Sequence, residues 1–269
     1  MKAKTLVVVL LLAVLLLSGS ACDGGEAPTS TPTPTSELSA EQIMEAVAEA
    51  EIETYRFDMY MSMTMVGEMP GTVTMDVTGA IDEQNREMYM DMQLSMSMPE
   101  PMETGMEIYI VGDWIYMGVE MPGEPAMWMK MTMTEYMWEE LDITSQQLDL
   151  LMDFVEVELL GTETVGGVEC YKLRVTPDMG KLWEWAQMQG GMEELDPALD
   201  LEDIISDFSI TEWVAKDTYF TTKAVIDITM TIESDTIDMT MTMLMYGFNE
   251  PVSIELPPEA ADAVEVPMP

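Results

Sequence analysis

The sequence predicts an α+β protein dominated by strands: one large antiparallel sheet covered by three or four short helices. Three observations predict it. Apolar residues alternate with polar ones over long runs, which is the period of a strand with one oily and one wet face. Short turn signals separate the runs, as expected of neighbours joined by hairpins rather than by helical crossovers. Helical periodicity is confined to a few brief segments.

The first helix begins at Ser39, whose hydroxyl can cap it; Glu41, Gln42 and Glu45 favour its start, and Ile43, Met44, Val47 and Ala50 line one side. The first alternating run is Tyr55, Phe57, Met59, Met61, Met63 and Met65, with Arg56, Asp58, Ser62 and Thr64 between them. The pattern recurs at Val73, Met75 and Val77, and again from Met88 through Met90, Met92, Leu94 and Met96 to Met98. It returns at Met127, Met129, Met131 and Met133, with Lys130 opposite. Late in the chain it reappears as Ala224, Ile226, Ile228, Met230 and Ile232, then Met239, Met241 and Met243. Turns are read at Asp82 to Asn85, Gly112-Asp113, Gly166-Gly167 and Ser234-Asp235. A second helix is expected from Thr144 through Leu148, Leu151 and Met152. A third is expected from about Pro177 through Trp183, Trp185 and Met188, and one or two further turns between Pro197 and Asp207. The tail from Asn249 to Ile254 reads as extended.

The N-terminus has a separate logic. Lys2 and Lys4 precede the apolar run Leu6 to Leu17, followed by Ser18-Gly19-Ser20-Ala21 and Cys22. A basic start, an apolar stretch and small residues make an export signal. The run is shorter than the ~20 residues that span a bilayer. Cys22 directly after small residues resembles the lipobox of bacterial lipoproteins, which implies that its thiol is acylated and becomes the new N-terminus. Gly19 and Ala21 equally suit ordinary signal cleavage at the same point, leaving simple secretion as the alternative. Residues 22–38, rich in Thr and Pro and without a large apolar side chain until Leu38, form a polar tether that cannot bury enough surface to fold. The expected division is thus a signal peptide over 1–21, a disordered tether over 22–38 and a single domain over 39–269, on the extracytoplasmic face of the cell membrane.

Composition excludes several functions. Removal of residues 1–21 takes Lys2 and Lys4 but no acid, leaving eight basic and 51 acidic residues and a net charge of −43. That charge opposes binding to nucleic acid and to anionic headgroups. The chain contains no histidine, which removes Ser-His-Asp and Cys-His catalysis and every imidazole metal site. The carboxylates are too numerous to single out an acid–base pair. Cys170, inside Val168-Glu169-Cys170-Tyr171-Lys172-Leu173, reads as a buried strand residue, and with Cys22 acylated it has no disulfide partner. No catalytic residue, metal site or cofactor is expected.

A polar tether after an acylated Cys, one helix and a long antiparallel meander interrupted by helices resemble the lipoprotein-carrier superfamily typified by LolA and LppX. The stretches carrying the likeness include Tyr55-Arg56-Phe57-Asp58-Met59, Asn85-Arg86-Glu87-Met88-Tyr89-Met90, Met106-Glu107-Ile108-Tyr109-Ile110-Val111-Gly112-Asp113-Trp114, Trp128-Met129-Lys130-Met131 and Tyr246-Gly247-Phe248-Asn249-Glu250-Pro251-Val252. The resemblance implies that the sheet curves into a half-barrel around a cavity for a lipid or acylated ligand, and it supplies no catalytic residue.

The chain has 32 methionines, and three readings of them stay open. They are plain sheet core; or the wall of a deformable apolar pocket, since three rotatable bonds and a polarizable sulfur let Met fit varied ligands; or soft ligands for Cu(I). The candidate wall is Met59, Met61, Met63, Met90, Met92, Met129, Met131 and Met241, with Trp183 and Trp185 as a candidate lid. The expected function is a membrane-anchored lipoprotein binding an apolar ligand. An envelope-sensing module with a fully packed sheet and a protein partner is the alternative, and a Cu(I)-binding protein comes third.

Overall fold

The computed structural model describes residues 38–67, 70–97, 101–121, 123, 125–134, 137, 155–181, 204–232 and 234–266. Helix α1 spans Ala40–Ala48 and has a full capping box: the Ser39 hydroxyl accepts from the Gln42 backbone, and the Gln42 side chain accepts from the Ser39 N–H. Twelve strands follow: β1 (Thr54–Val66), β2 (Gly71–Asp82), β3 (Glu87–Met96), β4 (Met102–Val111), β5 (Trp114–Glu120), β6 (Met127–Thr132), β7 (Val155–Val165), β8 (Val168–Pro177), β9 (Ile205–Ala215), β10 (Thr221–Ile232), β11 (Asp235–Tyr246) and β12 (Val264–Glu265). A 3₁₀ turn over Pro258–Asp262 precedes β12.

All twelve strands form one open, curved sheet in the order β12-β6-β5-β4-β3-β2-β1-β11-β10-β9-β8-β7. The first long strand and the last, β1 and β11, pair at the centre, with Met61 opposite Met241. The meander runs outward from that seam in both directions, and the segment between Thr132 and Val155 joins its two edges. Every pairing is antiparallel except β12 with β6, which is parallel and two residues long. The expected large antiparallel sheet is present, and to it the C-terminal tail adds β12 at the far edge.

The tail is tied down where it leaves the centre. The Asn249 side chain accepts from the Glu53 N–H at 2.7 Å, the Thr54 hydroxyl donates to the Glu250 carbonyl at 2.7 Å, and Arg56 donates to the Pro251 carbonyl at 3.0 Å. Farther on, Ile254, Leu256, Ala260 and Ala263 pack on Tyr89, Tyr109, Tyr116 and Trp128, which the register puts on the outer face. Two glycines make room for these rings and their inner counterparts. A Cβ on Gly118 would meet the Trp128 indole at 2.7 Å, and one on Gly79 would meet the Phe57 ring at 2.5 Å.

Two helical expectations change. Ile205, Ser206 and Asp207 belong to β9, not to a helical turn, because Ile205 pairs with Met230 and carries the β10 pairing forward. Of the third expected helix only its first residues are described: Pro177 ends β8 instead, and Met179, Gly180 and Lys181 are helical. The helix expected from Thr144 and the remainder of the third, including Trp183 and Trp185, lie outside the described residues, as do the signal segment, Cys22 and residues 22–37.

Candidate functional site

Strand parity decides which residues share a face. On β1, Met59, Met61 and Met63 point to the same side as Met243, Met241 and Met239 of β11, their direct cross-strand partners. Passing from pair to pair, Met61 leads to Met75 of β2 and Met75 to Leu94 of β3; Met59 leads to Val77, then Met92, then Met106 of β4. Met90 stands opposite Ile108, Ile108 opposite Met117 of β5, and Met117 opposite Met129 of β6; Met131 stands opposite Ile115. All eight methionines named from the sequence therefore share one face, here the inner face. Asp58, Asp91 and Lys130 are on the other.

The inner face is not uniform. Towards β9, β10 and β11 it is a closed core: Met61, Met63 and Met241 are 3%, 2% and 1% exposed and pack with Ile226, Ile228 and Met230. Helix α1 closes a second patch, with Ile43 packed on Leu173 of β8 and Val214 of β9. Met179 and Ile204, at the two ends of the β8–β9 connection, both return to the first core. On β3, β5 and β6 the same face stays half-buried: Met88, Met90, Met92, Met117, Met129 and Met131 all keep part of their surface open, and Met127 is 59% exposed. Met59, at the boundary, is half-buried too. The eight candidates thus divide into three in closed core, one at its margin and four on an open apolar surface.

One inward residue of β9 is ionisable. On β9 the inward positions are Phe208, Ile210, Glu212 and Val214, and Glu212 stands between Leu173 of β8 and Ala224 of β10. Its carboxylate has no hydrogen-bond or ion-pair partner among the described residues. Glu212 is half-buried, and the loss of water around its carboxylate pushes the pKa up to about 7. Sequence reading missed it, because a helix was expected just before it and a carboxylate breaks the apolar alternation; the signal was the run Phe208, Ile210 and Val214 with the acid in register. Inward titratable neighbours are few: Tyr171 on β8 with Lys216 over its ring, Tyr219 in the β9–β10 turn and none on the adjacent part of β10, while Glu41 and Glu45 of α1 are exposed.

This arrangement has a pH consequence. The folded-state pKa near 7 lies above the ~4.3 of an unfolded Glu, so between those values the folded chain keeps a proton that the unfolded chain has lost. Stability then falls as pH rises through that window, and the penalty is complete above it. Glu212→Gln should raise the unfolding free energy at pH 8 by at most about 4 kcal/mol, less whatever water screening removes, and by little at pH 4. Urea unfolding of both proteins at the two pH values checks this. A gain that is the same at both pH values contradicts it.

The outer face is differently built. Trp213 of β9 lies between two lysines, with Lys223 Nζ 4.3 Å and Lys172 Nζ 4.9 Å from the ring centroid, and Lys172 also pairs with Glu163 at 3.0 Å. The thiol of Cys170, fully buried, lies 3.3 Å from the Thr222 hydroxyl, matching the expected buried strand residue. Among the described residues no three His, Cys, Asp or Glu side chains gather closely enough to hold a metal ion, and no helix is long and apolar enough to cross a membrane.

No curated protein matches the chain. Solved structures similar to it include the lipoprotein LppX of Mycobacterium tuberculosis, 16% identical over 80% of this chain and 95% of that one with a TM-score of 0.36. LprF from Mycobacterium bovis is 11% identical over 81% of this chain and 98% of that one, with a TM-score of 0.43. A LolA superfamily protein from Nitrosomonas europaea is 12% identical over 83% and 97%, with a TM-score of 0.22. The model described as "Family of unknown function (DUF6612)" matches residues 39–265, and the chain belongs to that family.

Proposed function

We propose that this protein is a non-catalytic lipoprotein, anchored through Cys22 at the extracytoplasmic face of the cell membrane, that holds an apolar ligand of the lipid or acyl-chain class against the inner face of its sheet. One observation carries the reading: the inner face is closed core around the β1–β11 seam but an open, methionine-rich surface on β3, β5 and β6. Contiguous apolar surface left open on a protein whose net charge without residues 1–21 is −43 is surface built to meet something apolar. Methionine suits that task, because its unbranched thioether adapts to chains of different length and saturation. Each CH₂ removed from water is worth about 0.8 kcal/mol. A chain of about eighteen carbons thus gains roughly 14 kcal/mol before ordering costs, and several kcal/mol remain after them, enough for micromolar or tighter binding.

In this reading residues 1–21 direct export, residues 22–38 let the domain stand off the bilayer, and Trp183 and Trp185 belong to a lid over the ligand. Met90, Met92, Met129 and Met131 form the contact surface, with Met59 beside it; Met61, Met63 and Met241 support them from the core.

The test uses the mature chain with Cys22→Ser and an uncharged fluorescent probe, N-phenyl-1-naphthylamine. The probe should bind with a large rise in emission, and Met92→Trp or Met131→Trp should weaken binding about tenfold by filling the space. Absence of any saturable binding to the folded protein would overturn the proposal.

A further inference from the structure

Glu212 is the feature of the inner face that apolar binding leaves unexplained. Its four nearest inward positions are Leu173 and Ala224 across the strands and Ile210 and Val214 along its own. It therefore interrupts what is otherwise a join between two apolar clusters, one around Ile210 and Val175 and one around Leu173, Val214 and Ile43. Ala224 is the smallest inward side chain on β10.

The chain supplies no cation for this acid. All eight basic residues of the mature sequence lie among the described residues. Lys172 and Lys223 stack on Trp213 on the opposite face, and Lys130 lies over Trp114. Arg56 pairs with Glu250, Arg174 with Glu158 and Lys181 with Asp178. Lys216 lies over the Tyr171 ring, and Arg86 belongs to the turn between β2 and β3. An acid left in apolar surroundings without a counter-ion costs stability, which makes it a position that a ligand's cation would complete.

We infer that Glu212 receives the head of the ligand, and that this head is a protonated amine carried at the end of an alkyl chain. The inference rests on the reading that the inner face takes an apolar chain. An ammonium group gives the carboxylate both an opposite charge and hydrogen-bond donors, the stronger kind of hydrogen bond. A carboxylate or phosphate head would meet repulsion from Glu212 and from a mature chain of net charge −43. Along the cross-strand row from Glu212, Ala224 and Val77 are covered at 2% exposed each, Met243 and Met59 are half-buried, and Met92, five strand spacings or about 24 Å away, belongs to the open surface.

The experiment titrates the mature Cys22→Ser protein with tetradecylamine, tetradecanol and tetradecanoate by calorimetry at pH 8, each below its micelle concentration. The amine is protonated and Glu212 ionised under these conditions. The amine should bind about tenfold tighter than tetradecanoate, with tetradecanol between them. Glu212→Gln should reduce the amine's affinity about tenfold and abolish its preference over tetradecanol, while Glu212→Asp, which keeps the charge, should retain the preference. Circular dichroism establishes that both variants are folded. Equal amine affinity in wild type and Glu212→Gln, with tetradecanol still binding, overturns the role of Glu212 alone. Failure of all three ligands to bind overturns the apolar-ligand reading and this inference with it.

Discussion

Met61→Asp should unfold the protein at room temperature, whereas Ser62→Asp, one residue along the same strand, should change its stability by no more than about 1 kcal/mol. Met61 is 3% exposed and sits between Met241 and Met75, with Ile226 beyond, in the centre of the sheet. A carboxylate there loses its water and finds no base. The cost is several kcal/mol, comparable with the ~5–15 kcal/mol that holds a domain folded. Ser62 points the other way, between Thr240 and Thr74, where Asp227 and the outer polar side chains are already hydrated. Urea unfolding followed by circular dichroism measures both. Equal tolerance at the two positions would mean that the pairing register is displaced by one residue, since a single-residue slip exchanges the two faces.

Cys22→Ser should move the protein from the membrane fraction to the soluble one almost completely. The described residues contain no helix that could cross a bilayer, and the acidic surface gives no electrostatic attraction to anionic lipid. One acyl chain binds a membrane only marginally, so firm attachment requires the several chains of a processed lipoprotein. Fractionation with immunodetection reads the shift, and the intact mass of the wild-type mature protein reads the modification. Retention of Cys22→Ser in the membrane fraction, or an unmodified Cys22 in the wild type, contradicts the anchor.

What could be read from the sequence was what is local. Alternation with period 2 is written in neighbouring residues, so β1, β3, β6, β10 and β11 and the sharing of a face by their methionines were legible, and so were the Ser39 cap and the Gly166-Gly167 turn. The pairing of β1 with β11 was not: it joins segments at opposite ends of the chain, and no turn sequence records it. The return of the tail to β6 was invisible for a similar reason. Val264 and Glu265 make only two residues of strand, too short for a periodic signal, and the side chains that hold the tail, Ile254, Leu256 and Ala260, are scattered among prolines. Glu212 was hidden by its own chemistry. An acid in an inward slot breaks the pattern from which strands are recognised, so the position that looked least like core is the one that the inner face leaves without a partner.

The central claim, that the open inner face of β3, β5 and β6 receives an apolar chain, is tested most directly by photolabelling. The mature Cys22→Ser protein is equilibrated with an uncharged long-chain alkyl diazirine, irradiated, digested and sequenced by mass spectrometry. Adducts should concentrate on inward residues such as Met90, Met92, Met117, Met129 and Met131 and should be competed away by unlabelled tetradecanol. Adducts confined to outward apolar residues such as Tyr60 and Leu244, or labelling that excess tetradecanol leaves unchanged, would contradict the account.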